Sequence, residues 1–169
     1  MKLFKPILCL IAIIAACSNP TESCEDPLIV WGQSIAGIKL GDDSLTVIKK
    51  IGKPTHSWEA DIDGSLLVYG EGSKYNHMEI LVVKSGALHL GVNVIGVYSP
   101  YSGKTKDGIG IGVTRNKSIE ILGQPNRSET GPGGIDNIID IYLFDKTGFG
   151  LEYRNNVVYR ISMFGPITY

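Results

Sequence analysis

A stretch of eighteen residues that occurs twice constrains the fold of this chain more than any other feature of its sequence. GIKLGDDSLTVIKKIGKP spans residues 37–54, and GIGIGVTRNKSIEILGQP follows 71 residues later at 108–125. Because Gly and Pro mark turns and helix ends, the two copies predict the same local structure at two places. Six positions are identical: Gly37/Gly108, Ile38/Ile109, Gly41/Gly112, Ile48/Ile119, Gly52/Gly123 and Pro54/Pro125.

Each copy predicts one short, capped helix. Asp43 (or Asp42) in the first copy and Thr114 in the second can accept hydrogen bonds from N–H groups of the first turn. Gly52 and Gly123 suit the left-handed position after a helix, and the Pro two residues later prevents continuation. Helices of about eight residues are marginal alone, so each must pack on something larger. The apolar stripes expected to do so are Leu45, Val47, Ile48 and Ile51 in the first copy and Ile119 and Leu122 in the second.

Extended segments separated by turn signals follow each helix and predict an antiparallel sheet. Asp63-Gly64 marks a hairpin, and Ser85-Gly86 and Asn155-Asn156 mark equivalent later turns. We therefore predict an α+β fold of two tandem helix-plus-antiparallel-sheet repeats, about 70 residues each, with the helices on one face of the sheet. The repeats are 35–103 and 104–169, the other sheet face is partly open, and a shared continuous sheet is one of the possible arrangements. Alternation in the last strand predicts one face formed by Val157, Tyr159, Ile161 and Met163.

The first residues resemble a bacterial lipoprotein signal peptide. Two lysines precede an apolar run of about ten residues, which is too short to span a bilayer of roughly 30 Å. The run ends in Ile14-Ala15-Ala16-Cys17, the pattern of a lipobox, so we predict acylation of Cys17. Residues 1–16 are then the signal peptide and 17–34 a lipidated tether. An ordinary signal peptide with a chance cysteine is the alternative.

The lipid anchor predicts a location in the bacterial cell envelope, attached to the membrane rather than spanning it. Ser18, which is not an aspartate, indicates the outer membrane, with the protein facing the periplasm. Removal of the signal peptide takes two lysines and changes the formal charge from −1 to −3, so no basic patch indicates nucleic-acid binding. Cys24 is left in the tether, either as a free thiol or as a bridge between two copies.

The repeated pattern G-I-x-x-G…I-x-x-[IL]-G-x-P is followed in each copy by an extended segment that ends in an aromatic residue, Val68-Tyr69 and Leu143-Phe144, and by a hairpin. This pattern resembles the outer-membrane lipoprotein family called BamE, SmpA or OmlA. It is also similar to the β-lactamase inhibitor protein group, which has two such units in tandem. The resemblance implies a non-enzymatic, protein-binding module on a lipid tether, and inhibition of an envelope enzyme is an alternative that it also implies.

Other motifs for catalysis, metals or nucleotides are incomplete. The segment Glu59-x-Asp61-x-Asp63-Gly64 begins like a calcium loop, but the last ligand position is Gly70, and a hairpin explains the same residues. Glycines 108, 110 and 112 lack the spacing of a nucleotide loop. The three histidines lie in separate segments, with no closely spaced ligand pair. We therefore predict no enzyme activity, no cofactor and no metal. The alternative is a small ligand carrier or enzyme with a site between the repeats, lined by His56 or His89.

Aromatic side chains give the candidate partner-binding residues, because Tyr and Trp anchor many protein interfaces. The candidates are Trp58, Tyr75, Tyr98 and Tyr101, with Tyr75 and Tyr101 expected to be the most exposed because they lie in polar stretches; packing in the core is the alternative for each. The leading hypothesis is a lipid-anchored, non-catalytic envelope protein that holds a protein partner on its open sheet face or in a cleft between the repeats. A structural scaffold, a folded spacer that organises the envelope, is an alternative. Specificity is expected where the copies differ, including the GPGG insertion at 131–134.

Overall fold

Two short helices and eleven strands follow one another along the chain. The computed structural model describes residues 29–61, 63–71, 77–84, 90–132 and 134–165. The elements are β1 (Ile29–Val30), β2 (Ser34–Ile35), β3 (Ile38–Lys39), α1 (Ser44–Ile51), β4 (His56–Ala60), β5 (Gly64–Tyr69), β6 (Met78–Val83), β7 (Gly91–Tyr98), α2 (Arg115–Leu122), β8 (Arg127–Thr130), β9 (Asn137–Phe144), β10 (Thr147–Arg154) and β11 (Val157–Phe164).

Both helices begin and end where the repeated stretch predicts. The Asp43 carboxylate accepts from the Thr46 N–H, and the Thr114 hydroxyl accepts from the Lys117 N–H. The bond from Thr46 lowers the pKa of Asp43, because it stabilises the charged form. Gly52 and Gly123 follow the helices at φ 90° and 82°, where a side chain would be strained. The apolar stripe predicted for α1 is correct for Val47 and Ile51, which are buried, and wrong for Leu45, which is 79 % exposed.

The predicted α+β class of two helix-plus-sheet repeats is wrong. Strands dominate the described residues, the two helices have eight residues each, and the eight strands β4 to β11 form one antiparallel sheet in the order β4-β5-β6-β7-β11-β10-β9-β8. The reason is the pairing of β7 with β11, from Tyr98 opposite Arg160 to Val94 opposite Phe164. This pairing removes two edges, which would otherwise leave unpaired backbone groups on two separate sheets.

A second, three-stranded sheet is formed by β1, β2 and β3. It begins at Ile29, inside the segment 17–34 that the sequence assigns to the tether, and Ile29 is buried. Trp31 follows β1 and its ring stacks on Phe149 of β10, with 3.9 Å between the ring centroids. The N-terminal strands therefore belong to the folded core. Cys17 and Cys24 lie outside the described residues.

The two predicted hairpin turns that lie in the described residues agree with the sequence. Asp63 has φ 51° between β4 and β5, and Asn155 and Asn156 have φ 50° and 64° between β10 and β11. Ser85-Gly86 lies outside the described residues. The alternation predicted for β11 is wrong at its start, because the register between β10 and β11 shifts after Glu152 and leaves Tyr159 without a register partner on β10. Val158, rather than Tyr159, then enters the core, where it is 1 % exposed.

One face of the large sheet packs on the helices and the N-terminal strands. A row of register partners on this face runs across six strands, and no member is more than 5 % exposed: Leu67, Ile80, Ile95, Met163, Phe149 and Tyr142. Tyrosines tie the helix ends to this face, because Tyr69 and Tyr142 donate to the carbonyls of Gly52 and Gly123. Burial raises the pKa of both tyrosines to about 12.

Candidate functional site

The opposite face of the sheet carries a second row of register partners, which we call the apolar row. It crosses seven strands and consists of Trp58, Leu66, Leu81, Val94, Phe164, Gly148 and Leu143. Residues opposite each other in neighbouring strands share a face, and adjacent residues in a strand lie on opposite faces. In the six strands that carry both rows, each member of the apolar row is the residue next to a member of the buried row, so the apolar row points away from the core.

The apolar row is accessible in the described part of the chain. Trp58 is 54 % exposed, and the other non-glycine members are half-buried. None of them packs with the buried core cluster, which contains the helices, the N-terminal strands and the inner row. Gly148 contributes no side chain, and the Phe164 ring lies over it, because a Cβ at Gly148 would fall 2.4 Å from that ring. The apolar row is therefore a partly exposed strip on the open face, outside the buried core.

Two of the four predicted partner-binding aromatics lie on this open face. Trp58 stands on the edge strand β4, and its ring stacks with His56 at a centroid distance of 5.7 Å. Tyr98 ends β7 and is half-buried, with its backbone opposite Arg160. The exposure predicted for Tyr101 is wrong, since Tyr101 is 6 % exposed and belongs to the core cluster. Tyr75 lies outside the described residues.

Tyr98 forms one wall of a polar recess beside the apolar row, which we call the Arg160 recess. Its lining residues are Glu79, Tyr98, Tyr159 and Arg160, and its volume is about 280 Å³. Arg160 Nη2 donates to Glu79 Oε2 at 3.2 Å. Burial raises the pKa of Tyr98, and the negative charge of Glu79 raises it further. The tyrosine hydroxyl is therefore neutral near pH 7 and can donate or accept a hydrogen bond.

The glycine at position 96 makes room for this arrangement. A Cβ at Gly96 would lie 3.1 Å from Arg160 Nη2 and 3.3 Å from its Nε. The guanidinium therefore lies across the backbone of β7. Arg154 borders the same site, since its Cζ lies 3.5 Å from the centroid of the Tyr159 ring.

A second polar recess lies beside Pro132, which belongs to the GPGG insertion. It is lined by Pro132, Asp136, Asn137, Arg154 and Asn155 and has a volume of about 400 Å³. Asn137 is 5 % exposed and donates from Nδ2 to the Pro132 carbonyl and to Glu152 Oε1. These bonds hold the insertion against β10. A third recess, of about 250 Å³, lies beside Trp31 and is lined mainly by residues of the N-terminal strands.

Within the described ranges, no three His, Cys, Asp or Glu side chains gather in a way that could hold a metal ion. His56 lines none of the recesses described above, and His89 lies outside the described residues. Nor is any helix in these ranges long and apolar enough to cross a membrane.

Sequence reasoning missed most of the open face. Its signal was present in SLLVY, EILVV and NIIDIYLF, which are apolar at consecutive positions instead of alternating. A strand with one solvated face alternates between apolar and polar residues, whereas these strands are apolar on both faces. The strand patterns give no sign that Arg160 and Glu79 are neighbours. They lie on β11 and β6, which are distant in the sequence and are both paired with β7 in the sheet.

Comparisons with known proteins show the fold alone. No protein-family model matches the chain, and no curated protein matches its sequence. A DUF4309 family protein, YjgB, from Bacillus subtilis subsp. subtilis str. 168 is similar in structure, with TM-score 0.51, 16 % identity and coverage of 82 % of this chain and 88 % of that one. An extracellular protein containing an SCP domain from Bacillus anthracis str. Ames has TM-score 0.51 and 12 % identity, and the match covers 75 % of this chain and 44 % of that one. Neither structure belongs by its description to the BamE or β-lactamase inhibitor groups, so that resemblance stays a prediction.

Proposed function

We propose that this chain is a non-catalytic binding protein that holds a protein partner on the open face of its large sheet. The apolar row is the observation that carries the proposal. Seven register partners in adjacent strands contain no charged residue, and six of them have an apolar side chain that faces away from the core. A contiguous row of partly exposed apolar side chains is typical of an interaction site.

The dimensions of the row suit a protein rather than a small molecule. Seven strands at about 4.8 Å spacing make a row about 29 Å long. A standard protein interface covers about 800 Å² on each partner, and a patch of that area is about as wide as the apolar row is long. The Arg160 recess beside the row is lined by the polar or charged residues Glu79, Tyr98, Tyr159 and Arg160. A small apolar ligand would instead be enclosed on most of its surface.

Anchoring in the bacterial envelope is the second part of the proposal, and it is supported by the lipobox at Ile14-Ala15-Ala16-Cys17. Replacing Cys17 with serine removes the thiol that takes the lipid. We expect the Cys17→Ser protein to be found in the soluble fraction, or to keep its signal peptide, whereas the original chain fractionates with membranes. Labelling with a radioactive or alkyne-bearing fatty acid checks the assignment. Incorporation of the label into Cys17→Ser at the original level would contradict it.

The binding proposal is tested by crosslinking and pull-down from envelope membranes. Leu81→Lys places a charge inside the apolar row, as its third member, and Trp58→Ala removes the largest side chain of the row. Because a charge in a desolvated interface is costly, we expect Leu81→Lys to lower recovery of a reproducible partner at least tenfold. Trp58→Ala should lower recovery to a smaller extent, because Trp58 lies at the end of the row.

Leu45→Lys is the matched control for this experiment. Leu45 is 79 % exposed on α1, on the side of the molecule that carries the helices, so its variant adds the same charge away from the open face. The control should recover the partner as the original chain does. Circular dichroism melting of all three variants excludes unfolding as the cause. Equal recovery by Leu81→Lys and Leu45→Lys would contradict binding through the open face.

A further inference from the structure

The two edge strands of the large sheet, β4 and β8, differ in how far they are protected from pairing. An edge strand has unpaired N–H and C=O groups along its outer side, and proteins often block such an edge with lysine, proline or a covering element. β4 contains neither lysine nor proline, its first four residues are exposed, and no described strand pairs with its outer side. Its backbone is therefore free to pair with a further strand.

The edge at β8 is less suited to pairing. It has only four residues, and Arg127 and Glu129 form an exposed ion pair along it. The apolar row ends on β9 at Leu143 and does not reach β8, whereas at its other end it begins on β4 at Trp58. Of the two edges, β4 is thus the one that combines unpaired backbone groups with the proposed partner-binding surface.

We infer that β4 accepts an extended segment of the protein partner as an additional strand of the large sheet. The inference rests on the proposed function, because a partner that covers the apolar row reaches β4 at Trp58. In this mode of recognition the main-chain hydrogen bonds supply affinity, and the neighbouring side chains select the sequence. A residue opposite Trp58 lies on the open face, so an apolar side chain there extends the apolar row.

Glu59 adds a charge preference on the other face of the added strand. It is exposed, Ser65 lies opposite it on β5, and no ion pair of the described residues includes it. Opposite charges on directly paired residues stabilise a sheet, so a lysine or arginine opposite Glu59 is favoured. The expected segment therefore alternates apolar residues with polar or basic ones.

The size of β4 favours a segment of the partner over a second copy of this chain. Its five residues make a strand about 17 Å long, which supplies much less than the roughly 800 Å² per partner of a stable interface. Two copies paired through β4 have only this contact. A partner that also lies on the apolar row adds the strand to a larger buried area.

A blocked peptide and two N-methylated isomers test the inference with the complete chain. In antiparallel pairing, acetyl-Val-Lys-Ile-Thr-Val-amide places its isoleucine opposite Trp58 and its lysine opposite Glu59. One isomer is methylated on the nitrogens of Lys and Thr, the other on those of Ile and the last Val. Neighbouring residues of a strand direct their N–H groups to opposite sides, so only one isomer loses the donors that face β4. In NMR titrations we expect that isomer to bind at least tenfold more weakly than the other.

Amide hydrogen exchange locates the binding site. With the parent peptide bound, exchange should slow at alternate amides of His56–Ala60 in β4. The amides of Arg127–Thr130 in β8 are the matched control, since they lie on the opposite edge of the same sheet, and their exchange should not change.

Four results would overturn the inference: no binding of the parent peptide at millimolar concentration, equal affinity of the two isomers, slowed exchange at β8 instead of β4, and slowing at β4 without peptide that increases with protein concentration. The last result would assign the edge to a second copy. The pull-down with Leu81→Lys decides the proposed function separately, because it changes no residue of β4. A partner that depends on Leu81, together with a β4 edge that binds no peptide, would mean that the open face binds without an added strand.

Discussion

Replacing Phe149 with alanine is expected to lower the free energy of unfolding by about 3–5 kcal/mol, the usual cost of removing a fully buried aromatic ring. Phe149 is 1 % exposed on the inner face of β10. Its ring stacks between Trp31 and Tyr142, with centroid distances of 3.9 Å and 4.9 Å. The truncation therefore removes the surface on which the N-terminal strands pack, as well as leaving a cavity in the core of the large sheet.

Urea unfolding followed by circular dichroism measures the loss for Phe149→Ala. In a Trp58→Phe background, Trp31 is the sole tryptophan, and its emission should shift to longer wavelength as its ring loses its stacking partner. Phe144→Ala is the control, because Phe144 also stacks on Phe149 but is 44 % exposed. A loss below about 1 kcal/mol is expected there. Equal losses of unfolding free energy in Phe149→Ala and Phe144→Ala would contradict the role of Phe149 as the surface on which the N-terminal strands pack.

Replacing Arg115 with alanine is expected to cost about 3 kcal/mol, because it leaves a buried carboxylate without its cation. Asp140 on β9 has a fully buried side chain, and its two oxygens accept from Arg115 Nε at 2.8 Å and Nη2 at 2.9 Å. Ser128 also donates to Asp140 Oδ1 at 2.6 Å. The hydrogen bond to Asp140 raises the pKa of Arg115, because it stabilises the guanidinium cation. This cluster joins the first turn of α2 to the edge of the sheet.

Urea unfolding of Arg115→Ala and of two comparison variants shows whether the loss of stability comes from the unpaired Asp140 carboxylate or from lost packing. Arg127→Ala breaks an exposed pair with Glu129, with side chains 71 % and 38 % exposed, and should change stability by less than about 1 kcal/mol. The double variant Arg115→Met/Asp140→Leu should be more stable than Arg115→Ala, since it removes both charges. A double variant less stable than Arg115→Ala would show that the uncompensated carboxylate is not the cause.

Local signals in the sequence predict local structure well. Asp43 and Thr114 cap the two helices, Gly52 and Gly123 end them, and Asp63 forms its hairpin turn. Each of these features depends on residues within a few positions of one another. Helix capping and the preference of glycine for positive φ therefore depend on local sequence and not on the tertiary fold.

The fold class depended on contacts that local patterns do not specify. Pairing of β7 with β11 joins strands more than sixty residues apart and merges what the repeat predicts as two units into one sheet. The register shift beside Tyr159 likewise depends on β10. Burial of Tyr101 was missed because its polar neighbours indicate a surface loop, whereas the chain there returns to the core through Thr105 and Ile109, both buried.

The sequence indicates some residues of the open face and misses others. The sequence indicates a partly open sheet face and identifies Trp58 and Tyr98, which both lie on the open face. Leu66 and Leu81 were not singled out, because an apolar residue in a strand has the same signature on either face until the register is known. Only the register shows that they lie on the face opposite Leu67 and Ile80.

Site-specific photo-crosslinking tests the central claim most directly. A photoreactive amino acid is placed at Leu66 or Val94 of the apolar row, or at Leu45 or Lys49 on α1, and cells are irradiated before the envelope is extracted. The account predicts that Leu66 and Val94 give a discrete adduct with the same partner and that the two α1 positions do not. An adduct with that partner from α1, with none from Leu66 or Val94, would contradict it.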